Sequence, residues 1–243
     1  MINRDFFICY ERKGIFLAKI LVYNQDTNRM ETYYRGENES MPYNTNGTLK
    51  VREFRGSSKS NILWTDKRTM QAWNSQRYIY MVLLYMLDLH LNAHMREDIG
   101  NQSQHYAGTA FDVGQTLTNI QRRVLRNSAR NSGVWTYIEP ESLSPTWVHF
   151  DRRFGTAACT SGGFPLIKQN SRGNYVCVAQ DDLNTLGYTT GGLDGVFGGQ
   201  TQNAVRRYQA SRELSVDGII GCNTWKSLQE NVVGTGATST TIN

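Results

Sequence analysis

His105 and Asp112 stand seven residues apart in Ser103-Gln104-His105-Tyr106-Ala107-Gly108-Thr109-Ala110-Phe111-Asp112, and His149 follows in Pro145-Thr146-Trp147-Val148-His149-Phe150-Asp151. Two neutral imidazoles and one carboxylate make a three-ligand zinc set that leaves a fourth position for water, the arrangement a hydrolytic metal needs. Gly108 and Ala110 keep the backbone between the first two ligands slim. Phe111, Val113, Val148 and Phe150 alternate with the polar residues, which predicts strands with one face on a core and the other on a site. The competing reading makes each histidine an ordinary core or surface residue, and a lone His-x6-Asp spacing does not separate the two.

Several elements must position these groups. Residues 6–10 and 14–23 read as strands. They are followed by a polar, Asn- and Glu-rich stretch that ends in the turn pair Asn46-Gly47. Residues 1–47 are set apart as an extension, either extra sheet or a docking module for proteins of a phage or phage-like particle. Residues 65–91 predict a helix with Thr65 as N-cap, Asp66 in the first turn, and Met70 and Trp73 at helical spacing. Residues 116–132 predict a second helix, with Leu117, Ile120, Val124 and Leu125 on its apolar side and Arg122, Arg123, Arg126 and Arg130 on a solvent face.

The stretch 156–173, rich in Gly, Ser and Thr, reads as a linker. Beyond it Leu193-Asp194-Gly195-Val196-Phe197-Gly198-x-x-Thr201 recurs as Val216-Asp217-Gly218-Ile219-Ile220-Gly221-x-x-Thr224. Each copy pairs an Asp-Gly turn with a threonine at a helix start. With the stretch 176–186 ahead, this predicts a compact three-helix module over 174–230, followed by a flexible tail over 231–243.

The chain of 243 residues carries a formal charge of +5 and a pI near 9.0, which favours polyanionic surroundings such as nucleic acid or a wall bearing anionic polymers. The arginines do not line up in a stripe with interleaved aromatics, so no nucleic-acid partner is expected. The apolar run over 78–87 is too short to span a bilayer, which needs about 20 residues. Asp5, Glu11 and Lys19 interrupt the start, so no signal peptide is expected. The chain is then made in the cytoplasm and acts at the wall after release or lysis, or is carried there on a phage-like particle. The four cysteines show no CxxC spacing. Cys159 and Cys177 flank a Gly-rich stretch and are placed to bridge in an oxidising compartment, but reduced buried thiols are the expected state.

The Ser103-x-His105-x-x-Gly108-x-Ala110-x-Asp112 motif and Trp147-Val148-His149-Phe150-Asp151 resemble the zinc D-alanyl-D-alanine carboxypeptidase family, within the lysostaphin, D-Ala-D-Ala metallopeptidase and hedgehog superfamily. Val51-Arg52-Glu53-Phe54-Arg55 is similar to the segment that opens the catalytic domain in one branch, and the resemblance runs over about residues 48–153. It implies His105, Asp112 and His149 as Zn2+ ligands. It also implies Arg96, in Asn92-Ala93-His94-Met95-Arg96, as the group that holds the substrate carboxylate or the developing oxyanion, with Ser103 and Trp147 at the substrate. Many members of that family carry an acid three residues before the last histidine, where this chain has Thr146. Asp151, two residues past His149 on the same strand face, is the first choice for the proton-transfer acid. Glu139, in the loop Ile138-Glu139-Pro140-Glu141, is the second. Asp151 has an equal alternative role, orienting an imidazole or pairing with Arg152 or Arg153.

Val176-x-x-x-Gln180-x-x-Leu183-x-x-x-Gly187-Tyr188 with the two Asp-Gly/Thr repeats resembles the peptidoglycan-binding domain family. Together the two resemblances imply an α+β protein: an antiparallel-sheet zinc peptidase domain over 48–155 with flanking helices, plus a small three-helix wall-binding module. The implied function is that of a peptidoglycan hydrolase, a DD-/LD-carboxypeptidase or endopeptidase that cuts peptide stems. The alternative is a non-catalytic wall-binding component of a phage tail or similar particle.

Overall fold

The computed structural model describes residues 17–56, 58, 60–84 and 102–234. The strand expected over 6–10, residues 85–91 of the first predicted helix, Arg96 and residues 235–243 lie outside them. Strands β1 (Leu17–Asn24), β2 (Arg29–Gly36) and β3 (Ile62–Asp66) form a sheet in the order β2-β1-β3. β1 pairs antiparallel with β2 and parallel with β3, so this sheet is mixed rather than antiparallel throughout. The parallel pair needs a long crossover, and the chain makes it through helix α1 (Val51–Arg55).

The described part of the extension drawn at 1–47, residues 17–47, does not stand apart. Ala18, Ile20 and Val22 of β1 enter one apolar cluster with Phe54, Trp73, Phe111, Trp135 and Phe150, whereas Leu21 and Trp64 enter a second cluster. β1 is therefore a shared wall between two cores. Its near-continuous apolar run is what a strand covered on both faces requires.

Helix α2 (Lys67–Leu84) follows β3 directly. Asp66, not Thr65, caps it: the Asp66 carboxylate accepts from Thr69 N at 2.9 Å and from Thr69 Oγ1 at 2.7 Å. A second sheet in the order β4-β6-β5 joins β4 (Ala110–Val113), β5 (Tyr137–Ile138) and β6 (Val148–Asp151), all antiparallel. Helix α3 (Asn119–Ser132) lies between β4 and β5 in the chain, opened by a Thr118/Gln121 capping box and closed by Gly133 in the left-handed region.

The orientation of α3 differs from the predicted one. Arg122 and Arg126 are buried, and Ile120 and Val124 are exposed. Arg126 donates to the carbonyls of Glu139, Ser144 and Trp147, satisfying the loop that leads from β5 to β6. The guanidinium thus does for that loop what a sheet would otherwise do.

The predicted linker is folded. β7 (Ala157–Cys159) and β8 (Gly162–Pro165) form a hairpin, Ile167 bridges Ile220, and Cys159 is bonded to Cys222. The disulfide joins a different pair from the one considered in the sequence, and Cys177 is a buried free thiol in the second core. Helices α4 (Asn174–Thr185), α5 (Gly199–Ser211) and α6 (Cys222–Gly234) complete the three-helix module, with α6 running into the predicted tail.

The repeat has a structural counterpart here. Gln180 Nε2 donates to Asp194 Oδ1, Val196 O and Thr201 Oγ1, and Gln209 Nε2 makes the same set with Asp217 Oδ1, Ile219 O and Thr224 Oγ1. Each threonine therefore accepts a bond from a glutamine of the preceding helix. Among the described residues no helix is long and apolar enough to cross a membrane.

Candidate metal centre

The ladder between β4 and β6 places Asp112 directly opposite His149. Phe111, Val113, Val148 and Phe150 fill the core face, which leaves Asp112, His149 and Asp151 on the other. His105 arrives from a tight turn before β4, in which Ala107 N bonds Ser103 O, Gly108 N bonds His105 O, and Ser103 Oγ accepts from His105 N. Ser103 thus shapes the turn. Gly108, at φ +70°, lies so close to β3 that a Cβ there would stand 2.0 Å from the Trp64 carbonyl oxygen.

Three donor atoms converge. His149 Nδ1 lies 2.8 Å from Asp112 Oδ1 and 3.1 Å from His105 Nε2, and His105 Nε2 lies 3.3 Å from Asp112 Oδ1. Ligands about 2.0–2.1 Å from a tetrahedral zinc ion stand roughly 3.3 Å apart, so the set fits such an ion. The chemistry fits as well. Without a cation two imidazole nitrogens point at one another beside a carboxylate, which demands a shared proton. Burial pushes the pKa of His149 down, but hydrogen bonds to Asp112 and Asp151 outweigh this and raise it to about 9. Burial acts to raise Asp112, yet its bonds to the two histidines hold it well below the usual carboxylate range.

The acids take distinct places. Asp151, fully buried, meets His149 through Nε2 at 3.4 Å, the ring nitrogen turned away from the cluster. Its oxygens are otherwise occupied by Arg153, through Nε at 2.8 Å, through the backbone N at 3.1 Å and through Nη2. Arg153 in turn stacks over Tyr137, 4.3 Å from the ring centroid. Asp151 shares the strand face, as its spacing required, but stands behind the ring rather than before the metal-facing nitrogen.

Glu139 stands elsewhere. The register Tyr137↔Asp151 and Ile138↔Phe150 brings Glu139 opposite His149, and Glu139 N donates to His149 O at 3.0 Å. Across the sheet the row therefore reads Asp112, His149, Glu139. This placement comes from register, which the Ile-Glu-Pro-Glu sequence conceals by resembling a loop. Glu141 pairs with Arg123 at the surface, Thr146 is exposed, and half-buried Trp147 lends its carbonyl to Arg126. Arg96 lies outside the described residues.

The His105 turn is held from two sides. From β3, Trp64 Nε1 donates to Tyr106 O at 2.7 Å and Thr65 Oγ1 to Gly108 O at 2.8 Å. From α4, Asn174 Nδ2 donates to Ala107 O at 2.9 Å and Tyr175 OH to Gln104 Oε1 at 3.0 Å. The Tyr106 hydroxyl reaches Asp181 Oδ2 at 2.5 Å and Asp182 Oδ1 at 3.0 Å. None of these grips was legible from the motif, because they join residues more than forty positions apart.

Residues 172–228 match the family described as "Putative peptidoglycan binding domain". An uncharacterized protein of Kitasatospora aureofaciens is 38% identical over 65 residues, 26% of this chain and 55% of that protein. The N-acetylmuramoyl-L-alanine amidase CwlM of Mycobacterium tuberculosis is 46% identical over 56 residues, 23% of this chain and 14% of the amidase. The chain thus spans about half the length of the first of these relatives and about one-seventh of the second. Among solved structures, a peptidoglycan-binding protein from Clostridioides difficile in complex with glutamine hydroxamate is 41% identical, covering 29% of this chain and 44% of that one at a TM-score of 0.28. The SleB N-terminal domain is 36% identical, covering 28% and 92% at a TM-score of 0.27. The three helices α4, α5 and α6 are thus the part of the chain that carries the likeness to a peptidoglycan-binding domain.

Proposed function

We propose that the chain is a zinc-dependent peptidoglycan peptidase of the D-Ala-D-Ala carboxypeptidase kind, acting on peptide stems as a carboxypeptidase or endopeptidase. The observation that carries the reading is the convergence of His105, Asp112 and His149 on one sheet face of a chain that also bears a peptidoglycan-binding domain. The amidase CwlM, whose name records action on wall material, matches this chain over 56 residues, and this supports the pairing of such a module with a wall enzyme. The Cys159–Cys222 disulfide suits work outside a reducing cytoplasm, at the wall after release or on a phage-like particle.

His105, Asp112 and His149 would hold the ion. Zinc, when bound, supplies a Lewis acid for the scissile carbonyl and lowers the pKa of a water toward neutrality. Glu139, one strand spacing of about 4.8 Å from His149, takes a proton from the attacking water and returns it to the leaving amine. Asp151 accepts from His149 Nε2 and so keeps Nδ1 bare and aimed at the cluster, and Arg153 fixes Asp151. The outcome is hydrolysis of an amide bond, with the peptidoglycan-binding domain keeping polymer nearby.

The test is digestion of defined muropeptides by the purified full chain, read by mass spectrometry, with chelator and with zinc restored. Cleavage that chelator stops and zinc restores, and that His149→Ala abolishes together with zinc content, is the expected result. Full zinc occupancy in His149→Ala would sink the ligand assignment. Zinc bound with no product from any stem peptide would instead favour the non-catalytic wall-binding component.

A further inference from the structure

The peptidoglycan-binding domain is not merely tethered to the metal-site body. Leu21, Trp64 and Ala107 share one apolar cluster with Val176, Leu183, Val205, Trp225 and Leu228, so the His105 turn and the three helices sit in a single core. From that core α4 reaches the turn at Gln104, Tyr106 and Ala107. Tyr175 bonds the Gln104 side chain, Tyr106 bonds Asp181 and Asp182, and Asn174 bonds the Ala107 carbonyl. Tyr106 directly follows His105, and both of its flanking carbonyl contacts, Trp64 to Tyr106 O and Asn174 to Ala107 O, leave the turn no slack.

The Tyr106 contact is chemically particular. One hydroxyl stands within bonding distance of two buried carboxyls and donates toward both, so a single proton is shared across the pair. Asp182 is further bonded by Gln229 of α6, which extends the network across the helical module. Burying such a cluster is costly unless every member is satisfied, and Tyr106 is the member that comes from the metal-site body.

From these contacts we infer that Tyr106, bridged to Asp181 and Asp182, is a positioning residue for His105, and that helix α4 of the peptidoglycan-binding domain is in this way a structural part of the metal centre. The inference rests on the reading of His105, Asp112 and His149 as metal ligands. It predicts that the domain sets metal affinity as well as wall attachment, and that the two properties can be separated by mutation.

The experiment uses the full chain and cobalt(II), whose visible absorption reports ligand number and geometry, followed by zinc competition against a chromophoric chelator. Wild type is expected to bind one equivalent with bands that His149→Ala abolishes. Tyr106→Phe keeps the ring and loses the bridge. It is expected to weaken zinc by about 10–100-fold and to alter the cobalt bands, with sedimentation on purified walls unchanged. Asp181→Asn, which retains an acceptor for Tyr106, should stay near wild type. If Tyr106→Phe fails to fold, Asn174→Ser reads the same grip at Ala107 and should weaken the metal in the same direction. Unchanged affinity and bands in whichever folded variant is measured would overturn the inference while leaving the ligand assignment intact. A wild-type chain with no His149-dependent cobalt bands would overturn both.

Discussion

The two ring nitrogens of His149 face different partners, and the role of each nearby acid follows from the nitrogen it meets. Nδ1 points at Asp112 and His105, and Nε2 points at Asp151. An acid on Nε2 fixes the tautomer and orientation of the ring, and its loss is felt as metal affinity. An acid on the neighbouring strand opposite His149, as Glu139 is, shares the sheet row of Asp112 and His149, and the loss of a base there is felt as turnover. Glu139→Gln should therefore keep its zinc and lose about 10²–10⁴-fold in turnover on a muropeptide. Asp151→Asn should weaken zinc by about 10–100-fold and recover much of its rate when zinc is raised. Steady-state rates measured over a zinc series separate the two. A zinc-saturated Asp151→Asn that is dead beside an active Glu139→Gln would return the base to Asp151.

At the scale of elements, α3 and the segment 139–147 make one unit through a single guanidinium. Arg126 is 2% exposed and serves three carbonyls that nothing else in the segment satisfies as fully. Arg126→Met fills similar space and leaves those oxygens unpaired, at about 1–3 kcal/mol each where they stay dry. A loss of about 3 kcal/mol or more by denaturant unfolding is expected. Arg123→Met, which breaks only the exposed pair with Glu141, should leave the unfolding midpoint near that of wild type. Equal effects would show that Arg126 is not an anchor.

The same helix shows what the sequence could convey. The alternation around Asp112 and His149 placed both on one sheet face, because a period of two is local and strict. The four arginines of α3 follow a helical period just as well, but periodicity says only which residues share a face, not whether that face finds carbonyls or water. The Cys159–Cys222 bond and the contacts of Tyr106 were hidden for another reason: they depend on how the chain closes over long separations, and several partners fit each residue equally on paper. The repeat was legible because Asp-Gly turns and their threonines are local devices, whereas the glutamines that bind them lie a helix away.

Over the whole molecule, the β2-β1-β3 sheet separates two cores while belonging to both, so the metal-site body and the three helices should unfold together. The seam between them contains the carboxyl pair of α4, and that pair gives stability a pH signature. Burial raises the pKa of Asp181 from 3.8 to about 7, against the lowering bond from Tyr106. Burial, with the charge of Asp181 beside it, also raises Asp182 well above the usual carboxylate range, against the bonds from Tyr106 and Gln229. The folded chain therefore keeps protons that the unfolded chain releases above about pH 4, so stability must fall as pH climbs from there through 7. Burial raises the pKa of Asp66 as well, against the bonds it accepts from Thr69, Gln25 and Asn174, and this adds a slope of the same sign. Asp112 and Asp151 are held low, so their contribution is complete above about pH 4 and is lost below it. Metal-free His149, raised to about 9, is charged in both states below its ordinary 6.5 and begins to matter only above that. Between pH 4 and 6.5 the falling slope belongs to the α4 pair together with Asp66. The midpoint of thermal unfolding of metal-free chain should drop across that window by about 5 °C or more, where 1 kcal/mol moves a protein of this size by about 2–4 °C. Asp181→Asn has no proton to lose and relieves the charge beside Asp182, so its profile should be flatter and its midpoint higher at pH 7 than that of wild type. A wild-type midpoint that rises from pH 4 to 6.5, or an Asp181→Asn profile as steep as the wild-type one, would show that the carboxyl pair is ionised in the folded chain and that the seam is held by charge rather than by shared protons.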